Sequence, residues 1–159
     1  MKKVATKKSK TAKKTHKLVM VSGGFDPIHH GHVRYFKAAK ALGSKLVVVI
    51  NNDNWIKLKK GHGFMSARDR AEIIKGFRDV DEVVISLHKK GTKDMSVCKE
   101  IKKIRPHIFA NGGDRFADNI PEFKVCKELG IEMAFNVGHG GKVRSSSDLL
   151  KEYSKHLKK

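Results

Sequence analysis

Between Val21 and His32 the chain reads VSGGFDPIHHGH, directly after the apolar residues Leu18, Val19 and Met20. Three imidazoles in four positions are groups whose charge changes near neutral pH. His29 and His32 stand three apart across Gly31, which has no side chain, so a phosphate can approach the backbone between them. His32 is expected to open a helix, whose free N–H groups and positive dipole end attract an anion. Two imidazoles and a helix N-terminus together grip phosphate. Gly23 and Gly24 let the backbone turn sharply and approach a ligand, and Asp26 and Pro27 fix the turn. The stretch is neither a Walker A loop nor the dinucleotide GxGxxG. Metal ligation by the histidines would require paired cysteines or matched carboxylates, and none accompany them. His30 lies between the two gripping positions and is expected to be exposed.

Three other stretches carry residues of the same chemistry: NNDNWIKLKKG, NGGDR and GHGGKVRSSS. The lysines of KLKKG could form a solvated face, but Lys57 and Lys60, ranked ahead of Lys59, are the candidates for meeting negative charge. Arg144 followed by Ser145, Ser146 and Ser147 is more than a helix cap requires. Trp55, the only tryptophan, suits the edge of a pocket as packing or as a substrate contact.

The elements that must position these groups follow from hydrophobic pattern. Short β-branched runs at 18–22, 45–51, 82–86, 106–110 and 131–136 read as strands buried on both faces. Helical periodicity fills the gaps at 32–42, 66–77, 94–104, 121–129 and 145–157. Ser66 with Asp69 has capping-box spacing, and Pro121 suits a first helical position. Five strands strictly alternating with five helices predict an α/β fold, a single Rossmann-like parallel five-stranded sheet with helices on both faces. Ligands in such sheets bind beyond the carboxyl ends of the strands, and all four stretches follow strands.

Length and composition bound the rest. A chain of 159 residues suits one domain with a core of its own. Cys98 and Cys126 form no CxxC pair and suit a reducing, cytoplasmic setting. No apolar run reaches a membrane span, and the basic N-terminus lacks the apolar segment of a secretory signal. The formal net charge is +19, and residues 1–17 hold eight lysines and no acid. Residues 1–16 are therefore expected to be a disordered basic tail with, at most, a weak, salt-sensitive contact to polyanions. The remaining positive charge suits a site that handles phosphorylated ligands. A basic nucleic-acid-binding protein on the same fold is the alternative of another class. It predicts aromatics interleaved with the lysines, and aromatics are 7% of the chain.

GGFDPIHHGH resembles the GxFDxxHxGH signature of the cytidylyltransferase-like nucleotidyltransferases. This superfamily includes glycerol phosphate cytidylyltransferases and heptose phosphate adenylyltransferases. Further matches follow in order: Asn52 and Asp53 with KLKKG resemble the lysine loop after the second strand. Arg70 matches an arginine at the head of the next helix. Asn111, Gly112, Gly113, Asp114 and Arg115 resemble the nucleotide loop, and Arg144 to Ser147 the ISTT phosphate loop. The resemblance covers residues 18 to about 155.

The resemblance implies a nucleotidyltransferase domain over 17–159, of the 2.7.7 type. A phosphate oxygen of the second substrate attacks the α-phosphorus of a nucleoside triphosphate, and pyrophosphate leaves. His29, His32, Lys57, Lys60 and Arg144 would be catalytic. Gly23, Gly24, Phe25, Asp26, Gly31, Arg70, Asn111, Gly112, Gly113, Asp114, Ser145, Ser146 and Ser147 would bind the nucleotide. Mg²⁺ would bridge the phosphates with few or no dedicated protein ligands, and the enzyme would be a homodimer. The expected donor is CTP ahead of ATP, and the acceptor a small phosphorylated polyol, sugar or amino alcohol. The alternative within the class is an ATP-dependent adenylyltransferase of a sugar phosphate.

Overall fold

The computed structural model describes residues 16–113, 115, 120–138 and 144–157. The lysine-rich tail up to residue 15, with its expected polyanion contact, lies outside them. Five parallel strands, β1 (Leu18–Gly23), β2 (Lys45–Ile50), β3 (Glu82–Ile85), β4 (Ile108–Ala110) and β5 (Glu132–Ala134), lie in the order β3-β2-β1-β4-β5. The order reverses between β1 and β4, where Met20 pairs with Phe109. That switch point is where such a sheet opens a crevice.

Alternation along the strands splits the core in two. Val19, Val21, Leu46, Val48 and Ile50 pack with Phe36 and Ile74 on one face. Met20, Val49 and Phe109 pack with Ile101, Val125 and Cys126 on the other. The central strands are buried on both faces, as their continuous apolar runs predict. The edge strands β3 and β5 are only partly covered, and Glu82, Ile85 and Glu132 are exposed, because each has one neighbouring strand.

The helices are α1 (His30–Ala41), α2 (Asp53–Lys60), α3 (Ala67–Lys75), α4 (Cys98–Ile104), α5 (Glu122–Leu129) and α6 (Ser146–His156). The strict alternation expected from the sequence is therefore broken, since α2 and α3 both lie between β2 and β3. The stretch read as a lysine loop is the helix α2. Asn52 caps it by accepting the Trp55 N–H at 3.1 Å, and Trp55 and Ile56 are its buried face. α4 begins four residues later than its periodicity suggests. The Asp94 carboxylate takes both the N–H and the hydroxyl of Ser96, a local turn that competes with helix.

Arg70 gives α3 its position. Its side chain is fully buried and pairs with Asp53 at 2.8 Å. It also donates to the carbonyls of Gly24 at 2.6 Å and Asn51 at 2.7 Å, and to those of Met65 and Ser66. The expectation that Arg70 binds the nucleotide is corrected by this geometry: its donors bind the backbone just beyond β1 and β2. Arg70→Ala would leave these carbonyls unsatisfied, and Arg70→Lys cannot reproduce the fork. Arg70→Ala is expected to lose about 2–4 kcal/mol of stability, read as the shift in the urea unfolding midpoint, because it leaves the buried carbonyls of Gly24 and Asn51 without a donor and empties a packed site.

Candidate active site

The spacing of the histidines has a local cause. His29 is the N-cap of α1, and its Nδ1 accepts the Gly31 N–H at 3.1 Å. His32 reciprocates, its Nδ1 accepting the His29 N–H at 3.2 Å. This is a capping box built from two imidazoles. A Cβ on Gly31 would lie 2.9 Å from Cε1 of His29, so the ring of His29 occupies the place of a side chain at 31. The two rings stack with centroids 3.8 Å apart, and Phe25 meets His32 edge-on at 5.1 Å. A Cβ on Gly23 would strike the Phe25 ring at 2.8 Å.

With both Nδ1 atoms accepting backbone N–H groups, the neutral rings carry their protons on Nε2. Burial first, then His29 and Lys60 nearby, lower the pKa of His32 to about 3. His29 is also lowered, by burial and then by His30 and Arg144. The pair therefore offers two N–H donors without carrying charge at neutral pH. His30 is exposed and outside the cleft.

The cleft, about 480 Å³ in volume, opens at the switch point. His29, His32, Gly24, Phe25, Gly31, Lys60, Asn111, Gly112, Gly113, Arg144, Ser145, Ser146 and Ser147 line it. Asp114 lies outside the described residues. Gly23 shapes the turn from behind rather than lining the cleft. Asp26 is fully buried, and its carboxylate accepts the N–H groups of Phe64 at 2.8 Å and Met65 at 2.7 Å. It ties the segment after α2 to the β1 turn, which corrects its expected place at the nucleotide.

The lysine ranking is corrected as well. Lys57 is exposed and away from the cleft, whereas Lys59 and Lys60 line it. Lys60 Nζ donates to the Asp26 carbonyl at 2.9 Å, and burial lowers its pKa. Lys59 Nζ lies 4.7 Å from the Trp55 ring centroid. Trp55 itself is buried at the cleft wall, its indole N–H donating to the Met95 carbonyl at 2.9 Å. In the serine loop, Ser145 caps α6 by accepting the Ser147 N–H. Ser146 donates its hydroxyl to the Pro27 carbonyl at 2.8 Å, so its proton is committed to the β1 turn. Arg144 pairs with Glu152 at 3.0 Å.

Arg115, the last residue of NGGDR, also lines the cleft, and three further lining residues carry no motif in the sequence: Arg34, Tyr35 and Asn136. Arg34 and Tyr35 follow His32 by two and three positions, so the turn of α1 that sets His32 also brings them to the cleft. Among the described residues that line it, none is Asp or Glu. Among the described residues no group of three metal-ligating side chains forms either.

Residues 20–139 match the cytidylyltransferase-like family model. The chain belongs to that family. Like its relatives, this cytidylyltransferase-like protein is a nucleotidyltransferase. The FAD synthase of Pyrococcus horikoshii is 38% identical over 116 residues, which span 72% of this chain and 75% of that protein. The bifunctional protein HldE of Helicobacter pylori is 34% identical over 125 residues, 77% of this chain but 26% of HldE. In structure, the chain resembles the lipopolysaccharide core biosynthesis protein of Thermoplasma volcanium with a TM-score of 0.61 at 28% identity, over 75% of this chain and 93% of that one. Among the described residues no helix is long and apolar enough to cross a membrane.

The lowered histidine pKa values set a pH signature. Below the ordinary value of 6.5 the unfolded chain takes up protons that native His29 and His32 refuse. Their contribution to stability therefore falls as pH drops below 6.5, in the case of His32 down to about 3. Chemical shifts of the His32 ring are expected to remain those of the neutral Nε2–H form at pH 5. A His32 transition near 6.5 would contradict the backbone-locked tautomer.

Proposed function

We propose that the protein transfers AMP from ATP to a phosphate monoester and releases pyrophosphate. The stacked pair His29 and His32, neutral donors at the N-terminus of α1, is the observation that carries the reaction class. The choice of base rests on the relatives. FAD is FMN joined to an adenylate, so a FAD synthase at 38% identity favours ATP over the CTP expected from the sequence. FMN and sugar phosphates are the acceptors to test first.

An acceptor phosphate oxygen attacks the α-phosphorus, a new P–O bond forms, and the bond to the bridging oxygen of pyrophosphate breaks. Pyrophosphate departs with the electron pair. The acceptor phosphate arrives ionised, so no protein nucleophile or base is required. The residues position the reactants and stabilise charge. Nε2–H of His29 and of His32 would donate to phosphate oxygens, while Lys59, Lys60 and Arg144 would meet the negative charge that builds on the departing group. Ser145, Ser147 and the open end of α6 would hold the β- and γ-phosphates. The donor set suits Mg²⁺ arriving on the triphosphate, because no carboxylate lines the described cleft. Bound there, the ion would neutralise phosphate charge.

Purified protein with Mg²⁺, ATP or CTP, and a panel holding FMN and sugar phosphates tests the reading by pyrophosphate release. ATP is expected to exceed CTP by at least about 10-fold in kcat/KM. Preference for CTP would return the protein to the cytidylyltransferases. His29→Ala and His32→Ala are each expected to lower kcat by roughly 10²–10³-fold, one well-placed donor apiece. Arg144→Ala is expected to weaken ATP and pyrophosphate together while leaving AMP binding nearly unchanged. Calorimetric titration with the three ligands separates these outcomes. Equal losses for AMP and ATP would reduce the loop to a helix cap.

A further inference from the structure

Trp55 lines the cleft and is yet only 5% exposed. Its backbone N–H is held by the Asn52 side chain, and its indole N–H donates to the Met95 carbonyl at 2.9 Å. The segment that carries Met95 is itself fixed. The His88 ring is held at both nitrogens, Nδ1 against the Ser86 hydroxyl at 2.7 Å and Nε2 against the Ser96 carbonyl at 2.9 Å. The His88 carbonyl accepts the side-chain amides of Asn52 at 2.8 Å and Asn54 at 3.0 Å. On another side the indole abuts the histidine turn, since a Cβ on Gly24 would lie 3.5 Å from its Cζ3. The ring is thus oriented by α2, by the segment after β3 and by the turn after β1.

Over this ring stands a cation. Lys59 follows Trp55 by one helical turn, and its Nζ lies 4.7 Å from the ring centroid, within the range at which an indole face attracts an ammonium. Lys59 is otherwise exposed at the mouth of the cleft. A lysine side chain has many rotamers, and fixing one on a ligand costs roughly 0.5–1.5 kcal/mol of binding energy. The indole contact orients the ammonium beforehand and adds no negative charge to a cleft that must attract phosphate. An ammonium that rests on a ring by one side still turns N–H groups away from it. A leucine at 55 would also make an apolar wall, but it has no face to hold a cation. Lys60 is placed by other means, through its bond to the Asp26 carbonyl.

We propose that Trp55 is a positioning residue of the site: its indole face holds the Lys59 ammonium ready for the β- and γ-phosphates, so that binding does not have to order that side chain. Trp55 acts through Lys59 and needs no contact of its own with phosphate. The rigid support beneath the indole is what lets a flexible lysine serve as a placed donor. The proposal rests on the reading that the cleft takes a nucleoside triphosphate.

Calorimetric titration of the full chain with pyrophosphate, ATP and AMP tests it. Trp55→Leu keeps the wall apolar and removes the π face. It should weaken pyrophosphate and ATP by roughly 2- to 10-fold, the ordering of one lysine side chain, and leave AMP nearly unchanged. Trp55→Phe returns a weaker π face and should recover part of that loss. A double-mutant cycle decides between positioning and packing. In the Lys59→Met background, Trp55→Leu should cost nothing further in pyrophosphate affinity. If Trp55→Leu does not fold, the cycle is run with Trp55→Phe against Lys59→Met under the same criterion. Additive losses in the cycle would overturn the proposal. So would a loss that falls equally on AMP, since that is the mark of a damaged wall. Wild-type protein that binds neither ATP nor CTP would instead remove the nucleotidyltransferase reading of the cleft, and this proposal with it.

Discussion

One guanidinium reaches both strands that border the histidine turn. Arg70 takes the carbonyl of Gly24, just after β1, and that of Asn51, just after β2, and pairs with Asp53 at the start of α2. Carbonyls at the carboxyl end of a parallel sheet have no further strand partners, and burying them without donors would be costly. A cation with a fixed fork satisfies several at once. The turn that carries Phe25 and the histidines, and the helix that carries Lys59 and Lys60, are thereby referred to the same atom group. Asp26 repeats the device with opposite charge. It receives two N–H groups from the segment that leads into α3. The reactive face is supported by charges placed under the loops rather than in the cleft.

This division explains what was legible in the sequence. The histidine turn could be read because its logic is local: caps, a glycine and a helix start all lie within a few residues of each other. The parallel sheet could be read because β1 and β2 are buried on both faces and need continuous apolar runs. Arg70 was legible as an important arginine but not as a buried one. An arginine at a helix head after a serine cap looks the same in sequence whether it faces an anion or a ring of carbonyls. Lys57 and Lys59 exchanged places because the segment was taken as a loop, and only the phase of α2 decides which lysines reach the cleft. Ser146 looked like its neighbours until the distance to Pro27 showed its hydroxyl already engaged. Trp55 shows a further limit. It fits an apolar helix face, but its hydrogen bond to Met95 spans 40 positions of sequence.

The neutrality of the histidine pair also bears on how the site divides its labour. In a cleft already flanked by Arg34, Lys59, Lys60, Arg115 and Arg144, two further positive charges would repel one another at a centroid distance of 3.8 Å. Stacked, backbone-capped imidazoles give directed donors at short range without that cost. The permanent cations provide the long-range attraction, and the histidines provide geometry.

Arg34, Lys59 and Arg144 are exposed at the mouth of the cleft. Lysine and arginine hold their charge across the neutral range, so the field they project does not fade as the buffer is changed from mildly acidic to mildly basic. Encounter with a highly charged anion is then guided before any contact is made. Such guidance weakens as dissolved ions shorten its reach, to about 8 Å at physiological ionic strength. Capture of the substrate should slow in concentrated salt while the departure of bound ligand, governed by the short contacts within, changes far less. The rim sets how often a molecule arrives, and the interior sets how long it stays.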